Sequence, residues 1–202
     1  MAFTVTEFKS GLAQGGARPS LFRVELSYPS PITAPQIGSF NSSELLVKST
    51  TIPSSTLGTY EVFYHGKSVK VAGDRTFDTW DTTIINDEDF GIRKAIEEWM
   101  ELISDHKLNT RDTQMSSTKK EGENADYKQD MGGNQFGKVG KVIRKYKFIG
   151  AFPTALSTIN LDWGTQDIEE FTVTWTYDRW GPGKSTGDVH DSDGFILDSN
   201  NN

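Results

Sequence analysis

The sequence predicts a mainly β protein, an antiparallel sandwich or barrel with one α-helix lying against it. Three observations carry this. Several segments rich in Val, Thr and aromatic residues alternate apolar and polar side chains with a period of two; one segment repeats its apolar residues at helical spacing; and polar stretches with Gly, Pro, Ser or Asn punctuate them. At 202 residues the chain is long enough for one good core, so a single domain with long excursions is expected.

Taken in order, LFRVELSY places Phe22, Val24, Leu26 and Tyr28 on one face and Arg23, Glu25 and Ser27 on the other, a half-buried strand. SPITAPQIGSFNSS is irregular. ELLVKST, TYEVFYHG, KSVKVAG and RTFDTWDTTII are further strands. In NDEDFGIRKAIEEWMELISD, Ile92, Ala95, Ile96, Trp99 and Ile103 form an apolar stripe opposite Arg93, Lys94, Glu97, Glu98 and Glu101. Asn86 or Asp87 is expected to cap this helix, and Glu88 and Asp89 suit the positive end of its dipole. From Lys107 to about Gln135 periodicity disappears, which predicts a long polar loop. VIRKYKFIG and EEFTVTWTYDRW complete the strands. In the last, Phe171, Val173, Trp175 and Tyr177 alternate with Thr172, Thr174 and Thr176, and the strand is expected to end at Trp180 in a Gly/Pro turn. Trp99, Phe171, Val173 and Trp175 are the expected core anchors.

The chemistry-bearing motifs are weak. DRWGPGKSTG ends like a phosphate-binding loop, but Asp178 stands where the motif needs Gly, Pro182 removes a cradling N–H, and no helical pattern follows Lys184 and Ser185. HDSDGF places Asp191, Asp193 and Gly194 in calcium-loop register, yet Val189 and Asn200 occupy the first and twelfth positions, where carboxylates are required. His65, His106 and His190 are isolated, and there are no cysteines, so thiol chemistry, disulfides and zinc-cysteine sites are excluded. No Gly-x-Ser-x-Gly elbow is present. The reading is of a protein without enzymatic activity, metal or cofactor. The basic run Lys138, Lys141, Arg144, Lys145 and Lys147 reads as blunting of a strand edge or pairing with an acidic neighbour as readily as phosphate contact. No window suits a membrane span or an export signal. The formal charge is −7, of which the stretch after Trp180, with four Asp and one Lys, supplies −3; such acidity suits a surface past which a polyanion slides without sticking.

ARPSLFRVELSY, VAGDRTFDTWDTTIINDED and FIGAFPTALSTINLDWGTQDIEEFTVTWTYDRW, in this order from Ala17 to Trp180, resemble the tail tube proteins of contractile-tailed, myovirus-type bacteriophages. The resemblance implies a β-sandwich with one flanking helix that forms hexameric rings, adjacent subunits completing a β-barrel around a lumen. Stacked rings would form a tube inside a contractile sheath, through which DNA leaves the capsid without specific binding. It further implies contact with sheath, baseplate, tape-measure and tail-terminator proteins, assembly in the bacterial cytoplasm, and residence in the virion tail. Residues 1–180 would form the tube domain, with the polar loop at 107–135 inserted and 181–202 an acidic extension. A hairpin from Leu45 to His65, broken at Ile52, Pro53, Ser54 and Ser55, would project toward a neighbouring ring, and Gly73 and Asp74 would make a turn. Contacts between rings or subunits are expected at Ile52, Pro53, Leu57, Tyr60, Phe63, Asp74 and Arg75. The alternatives are the inner tube of a phage-derived contractile injection or type VI-like system and, more remotely, a carbohydrate-binding sandwich.

Overall fold

The computed structural model describes residues 5–11, 16–30, 32–37, 40–106 and 127–182. In chain order the elements are α1 (Val5–Gly11), β1 (Phe22–Glu25), β2 (Gln36–Ile37), β3 (Phe40–Asn41), α2 (Ser42–Leu46), β4 (Val47–Thr50), β5 (Ser55–Tyr64), β6 (Lys67–Phe77), β7 (Trp80–Ile85), α3 (Gly91–Ile103), β8 (Gln129–Phe136), β9 (Val142–Leu156), β10 (Glu170–Thr176) and β11 (Arg179–Pro182). The fold is mainly β and antiparallel. Its main sheet runs β1-β8-β9-β10-β7-β4, with β11 also pairing to β9, and it does not close on itself.

Strand β9 belongs to two layers. Its N-terminal part lies between β8 and β11, and from Phe152 onward it pairs with β10. The change falls at Gly150, whose φ of +66° is a left-handed conformation that glycine alone adopts without strain. Its N–H is held by Asp130 Oδ1 at 3.2 Å. The sheet thereby folds over its own core. Trp80 from one layer stacks on Phe148 from the other, with ring centroids 4.1 Å apart and planes 9° from parallel.

Helix α3 closes the open side of this core. Ile92, Ala95, Ile96 and Trp99 are buried, and the Trp99 ring lies 5.8 Å from that of Trp175. Phe171, Val173 and Trp175 point inward from β10. The three indole N–H groups of the core cluster find acceptors: Trp99 donates to the Tyr127 carbonyl (2.8 Å), Trp175 to Thr82 Oγ1 (2.9 Å) and Trp80 to Thr50 Oγ1 (2.7 Å), whereas the buried Trp180 Nε1 has no partner among the described residues. At the N-terminus of α3 the cap residue is Phe90, in a left-handed conformation, rather than Asn86 or Asp87. Asp87 still accepts the Gly91 N–H at 3.1 Å, while Asn86 ties the strand end to Glu169.

Several expectations need correcting. The predicted strand ELLVKST is helical through Leu46 and extended only from Val47. The contact that goes with it is tertiary: Ser42 and Ser43 are buried, and Ser43 Oγ accepts the Leu26 N–H. The polar loop ends earlier than Gln135, since Gln129–Phe136 is strand β8 between β1 and β9. Its only buried side chain is Met131, so the period-two signature is missing; Gly132 is there because a Cβ would sit 3.2 Å from Glu25 Oε2. The predicted final strand is two, β10 ending at Thr176 and β11 running from Arg179 to Pro182, which pairs with Tyr146 at the end of the described ladder, where the missing N–H is tolerated. Helix α1 and the short β2-β3 ladder within 30–41 had no sequence signal.

Of the basic run, Lys147 lies where β9 is paired on both sides and bridges to Asp130 of the same subunit at 3.1 Å, whereas Arg144 and Lys145 lie beyond the end of β11, where β8 is the described partner of β9. Lys138 and Lys141 flank the β8-β9 turn. Lys184, Ser185, Val189, His190, Asp191, Asp193, Gly194 and Asn200 lie outside the described residues, as does most of 107–135.

Candidate assembly site

The projecting hairpin differs in its pairing from the one the sequence suggested. Strand β4 pairs with β7, so it is not an arm of the hairpin; β5 pairs with β6, from Ser55↔Phe77 to Tyr64↔Lys67. The turn is His65-Gly66, with positive φ at both residues (45° and 78°), as a two-residue primed hairpin turn requires. Gly73 and Asp74 therefore make no turn. They lie within β6, where Gly73 faces Gly58 across a register shift between Leu57 and Thr59. Backbone approaches backbone there: a Cβ on Gly58 would be 3.1 Å from the Asp74 carbonyl oxygen.

Beyond that bulge the hairpin is a two-stranded ribbon of its own, paired to no other strand among the described residues. Its register sorts the side chains onto two faces. The pairs Tyr60↔Val71, Val62↔Val69 and Tyr64↔Lys67 form one face, which is apolar apart from the lysine at the tip. Thr59↔Ala72, Glu61↔Lys70 and Phe63↔Ser68 form the other, where Lys70 and Glu61 bridge at 3.8 Å. Tyr60, Val62, Tyr64 and Val69 are between 49% and 71% exposed. An isolated ribbon with one apolar face is marginally stable in water, so this face needs a cover.

The expected contact residues distribute as follows. Tyr60 lies on the apolar face, Phe63 near the tip of the opposite face, and Leu57 and Arg75 pair at the base beyond the bulge. Leu57 and Ile52 are about half exposed, while Pro53 is buried within the subunit. Asp74 is exposed beside the Gly58 approach. Val62, Tyr64, Val69 and Val71 were not singled out from sequence, although the alternation of Tyr60, Val62 and Tyr64 before a His-Gly turn was the available signal. At the hairpin root, Ser54 donates a hydrogen bond to Asp78 Oδ2 and Tyr177 donates to the Asp78 carbonyl. Burial, reinforced by the Asp78 carboxylate, pushes the Tyr177 hydroxyl up to about 12.

Beside the root lies a cavity of about 580 Å³, floored by Trp80 and Phe148 and walled by Phe22, Tyr146 and Ile52. Its polar margin comes from Arg23, Lys48 and hydroxyl side chains. No acid-base pair or nucleophile is assembled in it. Among the described residues, no group of three or more His, Asp or Glu side chains is placed to hold a metal ion. No helix among them is long and apolar enough to cross a membrane.

An open antiparallel sandwich that displays an exposed amphipathic ribbon has the architecture of a protein that joins others through its surface. The profile of the phage tail tube protein family matches residues 17–182, and the chain belongs to that family, whose members are structural components of the virion tail and not enzymes. It is 29% identical over 166 residues to the tail tube protein gp19 of Enterobacteria phage T4, covering 81% of this chain and 90% of that protein. With the tail tube protein of Serratia phage KSP90 it shares 27% identity over 177 residues, covering 86% and 94%. In fold it is similar to a chain of the anti-feeding prophage tube-terminating cap (TM-score 0.59, 17% identity, covering 86% and 94%). It is also similar to the sheath/tube terminator of the extracellular contractile injection system PVC (TM-score 0.54, 16% identity, covering 81% and 94%).

Proposed function

We propose that this tail tube subunit assembles into hexameric rings that stack into a tube inside a contractile sheath, and that the tube is the conduit for DNA ejection. The observation that carries the proposal is the apolar face of the β5-β6 hairpin, which none of the described residues covers. A second copy is the natural cover, because a contact repeated head to tail generates rings and stacks. Tyr60, Val62, Tyr64, Val69 and Val71 form the buried centre of that contact, with Leu57, Phe63, Asp74 and Arg75 at its margin. Open sheet edges at β1 and β4 offer the lateral joint across which neighbouring subunits complete a barrel.

The wider partners follow from this placement: sheath around the tube, a terminator at one end, baseplate at the other and a tape-measure protein within during assembly in the host cytoplasm. Similarity to tube-terminating and sheath/tube terminator chains supports the fold side of this reading. The tube unit spans residues 1–180 with an insertion beginning near 107, and 181–202 is an extension to it. The test is to express the full chain and image it by negative-stain electron microscopy across protein and salt concentrations. Hollow rings or tubes of uniform width are expected; a strict monomer, even with baseplate added as a nucleus, would refute the proposal.

A further inference from the structure

We infer that the acidic segment following β11, residues 183–202, docks on the basic tip of the β8-β9 hairpin of its own subunit and shields that tip from nucleic acid. The inference stands apart from the tube reading, because both partners belong to one chain.

The tip is GKVGKVIRK, residues 137–145. Its turn is tight, with the Gly137 N–H bonded to the Lys141 carbonyl at 2.8 Å and the Gly140 N–H to the Gly137 carbonyl at 2.9 Å. Lys138, Lys141, Arg144 and Lys145 are its cations, and neither residues 131–146 nor 179–182 beside it contain a carboxylate. None of the four is ion-paired to a described residue; Arg144 lies over the Tyr146 ring at 5.5 Å. Lys147 and Arg179, the next cations along, do not count toward the patch because each is already engaged. Among the cations, Val139 is 86% and Ile143 54% exposed. The patch is basic with an apolar centre, so the partner that fits it is acidic with an apolar centre of its own.

Residues 183–202 have that composition. Asp188, Asp191, Asp193 and Asp198 stand against Lys184, a net −3, and Phe195, Ile196 and Leu197 lie between Asp193 and Asp198. The chain also leaves the sandwich in the right direction. Strand β11 ends at Pro182, opposite Tyr146, and runs antiparallel to β9, so it heads toward the β8-β9 turn. From Lys145 back to Val142, the edge of β9 that β11 has left has no described strand beside it. That stretch, measured from Tyr146, is about 14 Å long. The residues from Pro182 to Asp188 reach up to about 20 Å, so the first Asp already spans the patch and the others have chain to spare. Uncovered, these cations would bind nucleic-acid phosphates with release of counterions; the tethered carboxylates compete at an effective concentration on the order of millimolar. The match to the tail tube family ends at residue 182, so this shield is something the chain adds to the family fold.

The chain has no cysteine, so two can be placed at will. Val139→Cys/Ser192→Cys puts one thiol at the turn and one between Asp191 and Asp193 without removing a charge. The full-length variant, kept dilute, is treated with a short bis-maleimide, and cross-linked peptides are identified by mass spectrometry. The control is Thr165→Cys/Ser192→Cys, whose first thiol sits in the loop at the other end of β9. Cross-linking within the chain should be about tenfold faster in the first variant than in the control at low salt, and the difference should shrink at high salt. Equal rates at low salt overturn the inference, as does a product that forms only between chains. The shielding is read from binding of double-stranded DNA at low salt. Asp188→Asn/Asp191→Asn/Asp193→Asn/Asp198→Asn should bind about tenfold more tightly than the native chain. Adding Lys141→Ala/Lys145→Ala should cancel the gain, whereas Lys70→Ala/Lys94→Ala, which changes the net charge equally, should leave most of it. A gain that both pairs cancel alike reports net charge alone and overturns the shield.

Discussion

Val62→Asp tests the assembly site most directly. Val62 is 49% exposed and its cross-strand partner Val69 57%, so roughly half of each side chain remains to be buried when a second subunit covers the hairpin. Full burial of a valine is worth about 1.5–3 kcal/mol, so the exposed half of Val62 contributes about 1 kcal/mol to the contact. The introduced carboxylate would sit between Tyr60 and Tyr64 on the covered face and adds a desolvation cost of about 1–3 kcal/mol. The sum, about 2–4 kcal/mol at each contact, corresponds to roughly a 30- to 1,000-fold rise in the concentration at which tubes form. Folding should change little, because the side chain contributes nothing to the core. Thr59→Asp supplies the control: the same charge on the same ribbon, on the face that already carries Glu61 and Lys70. The assay is the critical concentration for sedimentable tubes, measured with the thermal unfolding of the dissociated subunit. A Val62→Asp shift no larger than that of Thr59→Asp would refute the assignment of the apolar face.

Four further outcomes concern the fold. Trp99→Leu removes rings packed against Tyr28 and Trp175 and strands the Tyr127 carbonyl, so chemical denaturation of the subunit should show a loss of about 3 kcal/mol. Gly150→Ala places a Cβ 2.4 Å from Asp178 Oδ2 at a φ of +66°, disturbs the Lys128–Asp178 pair, and should cost about 1–3 kcal/mol, only partly recovered by adding Asp178→Ala. Tyr28→Phe should be neutral or stabilising by up to about 1 kcal/mol in the same measurement, because the buried Tyr28 hydroxyl has no hydrogen-bond partner among the described residues. Alkaline titration followed by circular dichroism should show stability constant below pH 10 and falling toward 12: Tyr177 stays protonated in the fold to about 12 while the unfolded chain ionises near 10, so the unfolded state binds fewer protons in that window. In Tyr177→Phe this fall should be smaller.

What was legible in the sequence was whatever one face of an element wrote into its own residues. Phe171, Val173 and Trp175 alternate with threonines because one side of β10 meets the core and the other meets water, and Trp99 repeats with Ile92 and Ile96 because α3 has one covered stripe. β8 was illegible because it is specified by backbone pairing with β1 and β9 and carries Gly132 beside Glu25, neither of which leaves an apolar rhythm. The hairpin was misparsed for a related reason. Ile52-Pro53-Ser54 breaks the chain between β4 and β5, but only the tertiary partner β7 shows that β4 belongs to the sandwich. For the proposed assembly site the sequence pointed to Ile52, Pro53, Leu57, Tyr60, Phe63, Asp74 and Arg75 but not to the face that unites Tyr60 with Val62, Val69 and Val71, since a face exists only once the register is known.

The same register separates the residues that fold the subunit from those proposed to join it to its neighbours. The Trp80, Trp99 and Trp175 cluster is complete within one chain, its indoles satisfied by Thr50, Tyr127 and Thr82, so the sandwich does not depend on assembly for its core. The free edges β1 and β4 are only four residues long, too short to template indiscriminate strand addition. The 10- and 11-residue arms β5 and β6 satisfy each other's ladder bonds and present side chains outward. Association through that ribbon therefore depends on side-chain fit rather than on open backbone. Fit selects one geometry, and one geometry repeated is what gives a tube of constant bore, so a substitution on the ribbon's apolar face should abolish tubes without producing amorphous aggregate.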